Sequence, residues 1–413
     1  MAAPRFPILF ISATRIGDAV LSSGLIKRLV DEIPDARFTI VAGPLAAPLF
    51  RDTPGLDGIV PFEKSRFGLH WFKLWTKARR RRWGLVLDMR GSGLARFLNA
   101  RRRAVRKPLP PGAPPVHKVI EAARVLKVED DPPSPFLFTS PQTEAEADAF
   151  LKPGGPILAV APAANWVGKT WPAERFAVVA AELLAKDGLM PDGRLLVLGG
   201  PGDRWACEAV RRAIPRDRLI DGVGKLDLLA AYACLKRVRL FIGNDSGLMH
   251  LAAAAGAPTL GLFGPSDDRL YGPWGPRARA LRGPRDFEAF RQIDPGFNQA
   301  LCHMFDLPTA KVVAAATELF EATQPEAAAP EPLTPEPELL VVASAEIIPP
   351  EPAPLQAEAP SPGPADPELL VAAPAEIAPV EVAPDATPEA SPSARKPRKR
   401  SASRKPRAGK TDG

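Results

Sequence analysis

Cysteine is nearly missing from this chain. Its 413 residues hold only three, Cys207, Cys234 and Cys302. They are scattered, no two have metal-ligand spacing, and three is a poor number for a disulfide framework. Four equally dispersed histidines add no metal site. A reducing cytoplasm is the expected compartment. No run reaches 18 uninterrupted apolar residues, so no transmembrane helix is expected. Nor is a signal peptide, because Pro7–Ile11 is a strand-length apolar run followed at once by polar turn residues. Any meeting with a membrane is expected from the side.

What is abundant is proline, and its distribution divides the chain. Of 50 prolines, 20 fall between Pro325 and Pro406. That region is rich in Pro, Ala and Glu and too poor in large apolar residues to bury a core, so a disordered tail is expected over 324–413. Within it Pro337–Pro354 recurs as Pro367–Pro384, identical at 13 of 18 positions. Two copies are too few for a solenoid and read as a duplicated, extended linker. Charge is divided as well. The tail has 9 Lys/Arg and 14 Asp/Glu, which leaves 45 against 33 in the body, a net +12 beneath the overall +7. All nine tail cations lie in Arg395–Lys410. A basic body suits an acidic or phosphorylated partner or an anionic membrane surface; nucleic acid is not the expected partner.

The body reads as two rounds of strand–helix alternation, an α/β fold with domains over 1–150 and 151–323. Pro7–Ser12 is a buried strand, and Asp18 opens a helix that runs to Ile33 with apolar residues at helical spacing. Arg37–Ala42 completes a βαβ unit, which exposes Thr14–Asp18 at the carboxyl end of a strand, where ligands of open parallel sheets gather. That loop has only Gly17, so it is no dinucleotide fingerprint and a dehydrogenase is disfavoured. Arginine runs at Arg79–Arg82 and Arg101–Arg103, with Trp71, Trp75 and Trp83 nearby, read either as solvated faces or as a patch for phosphates or anionic lipid.

In the second half, strand Pro156–Ala161 leads to the loop Pro162–Thr170 and a helix signalled by Pro172. Lys169 in that loop can meet a diphosphate as a point charge, or be merely solvated. Further on, Leu240–Ile242 is a short strand, Gly243–Gly247 a polar turn, Leu248–Ala255 a small-residue helix and Thr259–Phe263 another strand. A helix start offers free N–H groups and a positive end to an anion, and His250 lies one turn in, facing the same spot. For Asp18 and Asp245 alike, the plainer alternative is a helix cap.

Three segments together resemble glycosyltransferase family 9, the heptosyltransferases: R-I-G-D-A-V-L from Arg15, P-A-A-N-W-V-G-K-T-W-P from Pro162, and G-N-D-S-G-L-M-H-L-A-A-A from Gly243 followed by L-F-G-P-S-D. The resemblance spans about residues 8–320. It implies a GT-B fold, two Rossmann-like domains facing a cleft, and transfer of heptose from ADP-heptose to the lipopolysaccharide inner core with inversion. Carried across position by position, it implies Asp18 as general base and Lys169 on the donor phosphates. Ala164 and Asn165 would approach the diphosphate, Asp245, Ser246 and Gly247 would hold diphosphate and sugar with His250 beside them, and Leu226 would lie against the adenine. Arg15, Lys64 and Arg66 are the candidate acceptor contacts. The resemblance implies no metal and no cofactor beyond the nucleotide-sugar substrate, an anionic lipopolysaccharide-precursor acceptor, and a cytoplasmic enzyme peripheral to the inner membrane through its basic patches and tail. Two positions depart from the family pattern: Ala163 replaces a common glycine, and only Asp203 stands near the expected ribose-binding acid. A related transferase with another donor or acceptor, a nucleotide-sugar epimerase of the same fold and a non-catalytic binder remain as alternatives.

Overall fold

The computed structural model describes residues 5–63, 68–297 and 301–324. Lys64, Arg66 and everything expected of the tail, including its disorder, its duplicated segment and its basic end, lie outside these residues.

The first sheet grows from β1 (Phe6–Ile11), whose residues Ile8 to Ile11 are wholly buried. A strand covered on both faces needs a continuous apolar run rather than an alternating one. Helices α1 (Ile16–Leu21) and α2 (Gly24–Glu32) follow, then β2 (Ala36–Ala42) and β3 (Leu56–Pro61). Next come α3 (Leu69–Ala78), β4 (Trp83–Asp88), β5 (Ala100–Val105) and α4 (Lys118–Ala123). The strand order is β3-β2-β1-β4-β5, every pair parallel.

A connecting helix, α5 (Pro141–Leu151), precedes the second sheet. That sheet contains β6 (Ile157–Ala161), β7 (Arg194–Val197), β8 (Leu219–Asp221), β9 (Leu240–Asn244), β10 (Thr259–Phe263) and β11 (Ala278–Arg282). Its helices are α6 (Ala173–Leu183), α7 (Glu208–Arg211), α8 (Leu228–Leu235), α9 (Gly247–Ala254), α10 (Asp268–Tyr271), α11 (Phe287–Ile293) and α12 (Thr309–Ala322). The order is β11-β10-β9-β6-β7-β8, again all parallel. In each sheet the strand order reverses beside the first strand, between β1 and β4 and between β6 and β9. A crevice opens at the carboxyl ends of the strands at such a reversal.

The structure differs from the sequence expectation in three places that shape the site. The helix expected from Asp18 to Ile33 is broken at Ser22–Ser23, whose hydroxyls donate back to Asp18 O, Ala19 O and Val20 O. Ser23 Oγ also accepts from Phe136 N, and a side chain at Gly24 would fall 2.4 Å from the carbonyls of Pro133 and Ser134. The segment leading to the second half thus lies directly on the break. The run Arg101–Arg103 is an edge strand, and Arg103 turns its guanidinium back to donate to Ala95 O and Leu98 O. At the far side β11 was not anticipated, because its sequence, ARALR, has no apolar run.

The two halves are tied together. Helix α5 packs on α8, where Arg237 pairs with Glu144 and Asp148, and Arg51 of the first half pairs with Asp227 of the second. Tyr232 Oη accepts from Leu137 N and donates to Ala254 O. Among the described residues no helix is long and apolar enough to cross a membrane.

Candidate functional site

The loops after β1, β4, β6 and β9 bring the candidate residues to the two crevices. On the second sheet, the β9 strand carries two residues further than expected, through Asn244, so the polar turn shrinks to Asp245–Ser246. Asn244 is wholly buried and grips the preceding loop at both ends: its Nδ2 donates to Pro162 O (2.7 Å) and its Oδ1 accepts from Trp171 N (3.0 Å). This holds the segment 162–171, with Ala164 half-buried and Asn165 exposed, against the start of α9. Nothing in the sequence marks Asn244 as a clamp, because its partners lie some 70 to 80 residues earlier. Replacing it by leucine leaves a buried N–H and a buried carbonyl without partners, at roughly 1–3 kcal/mol each. The expected N244L result is a lower denaturation midpoint in a chemical melt, since both ends of the loop that carries Lys169 lose their anchor.

Lys169, on a 3₁₀ turn (Val167–Lys169), donates from Nζ to Asp245 Oδ2 at 3.0 Å, with both side chains largely buried. Asp245 is therefore not a helix cap. The N-cap of α9 is Ser246, whose hydroxyl makes no capping bond and is buried without a partner. The first-turn N–H groups of α9 lack side-chain acceptors as a result, and the positive helix end is uncapped. His250, one turn in, is buried with Nε2 3.9 Å from Asp245 Oδ1 and Nδ1 unpartnered. Burial brings its pKa down to about 4, although Asp245 pulls the other way, so the ring is neutral at physiological pH.

Across the crevice, α1 meets α9 at two glycines. A Cβ at Gly247 would stand 2.6 Å from Ile16 Cγ2, and one at Gly17 would stand 3.0 Å from the His250 ring. Bare backbone at both positions lets the two halves close on each other here. Asp18, two residues after Ile16, is the third residue of α1 and not its cap, which is Arg15. It lines a cavity of about 100 Å³ with Arg106, Lys118, Glu121, Met89 and Tyr271. No described residue hydrogen-bonds its carboxylate. Burial raises its pKa, against the opposing pull of Arg15, Arg106 and Lys118, while Glu121 adds to the rise. Arg15 itself is exposed at the rim.

Sequence reasoning missed this surrounding group. Glu121 is held by Lys118 (2.6 Å) and by Arg106, and although burial opposes it, these cations keep its pKa below the ordinary carboxylate value. Tyr271 comes from the second half, and His117, at the start of α4, joins the halves by a 2.9 Å bond from Nε2 to Gly272 O. Leu226 is partly buried against the apolar core just ahead of α8, which Asp227 caps through Leu229 N and Ala230 N. Asp203 turns its carboxylate back on Gly200 N (2.8 Å).

Two parallel sheets, each with its switch point turned to a shared crevice that holds a partly buried carboxylate on one side and an uncapped helix start with a lysine on the other, define a GT-B glycosyltransferase architecture. The sequence pattern of glycosyltransferase family 9 (heptosyltransferase) matches residues 72–294, and the chain belongs to this family of enzymes. Among curated relatives, it is 25% identical over 333 residues to lipopolysaccharide heptosyltransferase 2 of Salmonella typhimurium, covering 71% of this chain and 93% of that protein. It is 24% identical over 309 residues to lipooligosaccharide heptosyltransferase 2 of Haemophilus influenzae, covering 67% and 88%. Among solved structures, the fold matches E. coli ADP-heptose lps heptosyltransferase II with a TM-score of 0.61 at 21% identity, over 77% of this chain and 99% of that one. It also matches the family 9 glycosyl transferase from Veillonella parvula at 0.60 and 20% identity, over 78% and 99%.

Proposed function

We propose that this enzyme transfers a heptose from ADP-heptose to an inner-core acceptor of lipopolysaccharide, at the cytoplasmic face of the inner membrane, with inversion at the anomeric carbon. The observation that carries the chemistry is the partly buried Asp18 carboxylate, free of hydrogen bonds to described residues, on the helix α1 that meets the start of α9 beside the Lys169–Asp245 pair. In the proposed reaction the acceptor hydroxyl gives its proton to Asp18 as its oxygen bonds to C1 of the sugar. The C1–O bond to ADP breaks on the opposite face, and its electron pair stays on the diphosphate. Lys169 and the first-turn N–H groups of α9 stabilise that growing charge. Leu226 lies against the adenine, Ala164 and Asn165 flank the diphosphate, and Gly247 and His250 border the sugar. Arg15, Lys64 and Arg66 hold the anionic acceptor. No cofactor is invoked, because the departing diphosphate is met by protein groups.

The donor assignment is tested by thermal protection. A ligand at a hundred times its Kd stabilises the protein by about 2.7 kcal/mol. ADP and ADP-heptose are expected to raise Tm, while UDP- and GDP-sugars at equal concentration leave it unchanged. Protection by UDP-sugars alone would overturn the donor.

A further inference from the structure

A second feature of the first half lies outside the catalytic crevice. Helix α3 and the short 3₁₀ turn Gly93–Phe97 enclose an open groove of about 640 Å³, walled by Trp71, Phe72, Trp75, Leu94 and Phe97 with Arg90 at its end. Phe72 is 61% exposed and Phe97 73% exposed, and together with the groove's other aromatic walls they form one apolar face. The groove is built rather than incidental: Trp75 Nε1 donates to Phe97 O (3.2 Å), which fixes one wall to the other. Arg90 stacks on Phe62 and Trp71, with its guanidinium carbon 4.6 and 4.9 Å from the two ring centroids, and its Nη1 has no hydrogen-bond partner.

What surrounds the groove is of one sign. Arg79, whose guanidinium carbon lies 4.6 Å from the Trp75 ring centroid, and Arg96, next to Phe97, are exposed without a carboxylate partner among the described residues, and no acidic side chain lines the groove. We infer that this aromatic groove with its cationic collar docks the enzyme on an anionic phospholipid surface, with Phe72 and Phe97 entering the acyl boundary and the collar resting on headgroup phosphates. Aromatic rings at the boundary with Lys and Arg around them are the pattern of an interfacial anchor. A folded protein partner would need carboxylates to answer this collar and an apolar knob to fill the groove, whereas a bilayer offers both chemistries at once. Arg90 follows Met89, which lines the Asp18 cavity, so the docking face adjoins the acceptor side of the crevice. Only this last link rests on the proposed reaction.

The test needs neither donor nor acceptor sugar, so its failure and that of the heptosyltransferase reading are separate events. The full chain is mixed with phosphatidylglycerol vesicles or phosphatidylcholine vesicles, each carrying brominated acyl chains that quench tryptophan only on contact with the hydrocarbon boundary. The chain beyond residue 324 contains no aromatic residue, so its basic end cannot produce this signal. Expected is quenching with phosphatidylglycerol but not phosphatidylcholine, lost in the W71F/W75F variant and retained in W205F, whose Trp205 is exposed elsewhere. F72S/F97S is expected to lose most of the quenching at saturating anionic vesicle while keeping the wild-type Tm, since both side chains are mostly in solvent. Undiminished quenching in F72S/F97S overturns the proposal. So does quenching that survives W71F/W75F.

Discussion

Replacing Asp18 by asparagine is expected to lower the rate of sugar transfer by about 10²–10⁴-fold, the usual contribution of a positioned general base. The donor should still bind, because Lys169 and α9 are untouched, so the loss belongs in kcat. The wild-type pH profile gives a second reading of the same group. Burial raises the Asp18 pKa above its ordinary value of 3.8, and a base works only when ionised. Activity should therefore fall on the acid side at a higher pH than a free carboxylate would give, and D18N should have no such limb in its residual rate. Stability runs the other way. A carboxyl whose folded pKa lies above its unfolded one destabilises the fold as pH rises through the folded value, and the loss persists at neutral pH. D18N is thus expected to melt slightly higher than wild type at pH 7 while being nearly inactive, which is the trade that a desolvated functional group makes. A D18N enzyme with wild-type turnover would remove Asp18 from the mechanism.

Replacing Lys169 by alanine is the other large effect. The proposed reaction places the ammonium where charge develops on the leaving diphosphate, and loss of one such donor costs on the order of 10²–10³ in kcat. ADP binding should weaken too, because the product carries the same diphosphate. Lys169→Ala also leaves Asp245 without its lysine partner in a largely buried position, which adds a disturbed loop to the loss. Asp245→Asn separates the two causes: it keeps the ammonium but breaks the ion pair. If the two variants lose kcat equally, Lys169 serves the architecture and not the leaving group. Steady-state kinetics with Tm measured alongside decides between them.

How much of this was readable beforehand follows from the physics of parallel sheets. Asp18, Lys169 and Asp245 stand just after buried apolar strands, and in such sheets the carboxyl ends of strands are where ligands bind, so short polar segments there could be singled out. The family resemblance then gave them roles. Arg106, Lys118, Glu121 and Tyr271 were not readable as a group, because they meet Asp18 only through folding from separate segments. Asn244 looked like one polar residue of a turn, and its clamp on Pro162 and Trp171 is a long-range event. The edge strands β5 and β11 escaped notice for a local reason. An edge strand half in solvent needs no continuous apolar run, and ARRRAV and ARALR have none. The helix break at Ser22–Ser23 depends on Pro133 and Ser134 lying against Gly24, which no reading of positions 16–33 contains.

The bond between Lys169 and Asp245 also bears on which anions the lysine ignores. A lysine left bare above a helix start would attract any phosphate in the cell, and a site filled by background ions is closed to its substrate. Here the ammonium already has an internal counter-ion, so a stray anion must displace a carboxylate held 3.0 Å away before it gains anything. A ligand with two linked phosphates and a further grip through its base and sugar can win that exchange, whereas a single small anion has little with which to do so. In the proposed reaction Asp245 would thereby be a weak competitor built into the site, raising the threshold for occupancy to what a whole nucleotide sugar can meet.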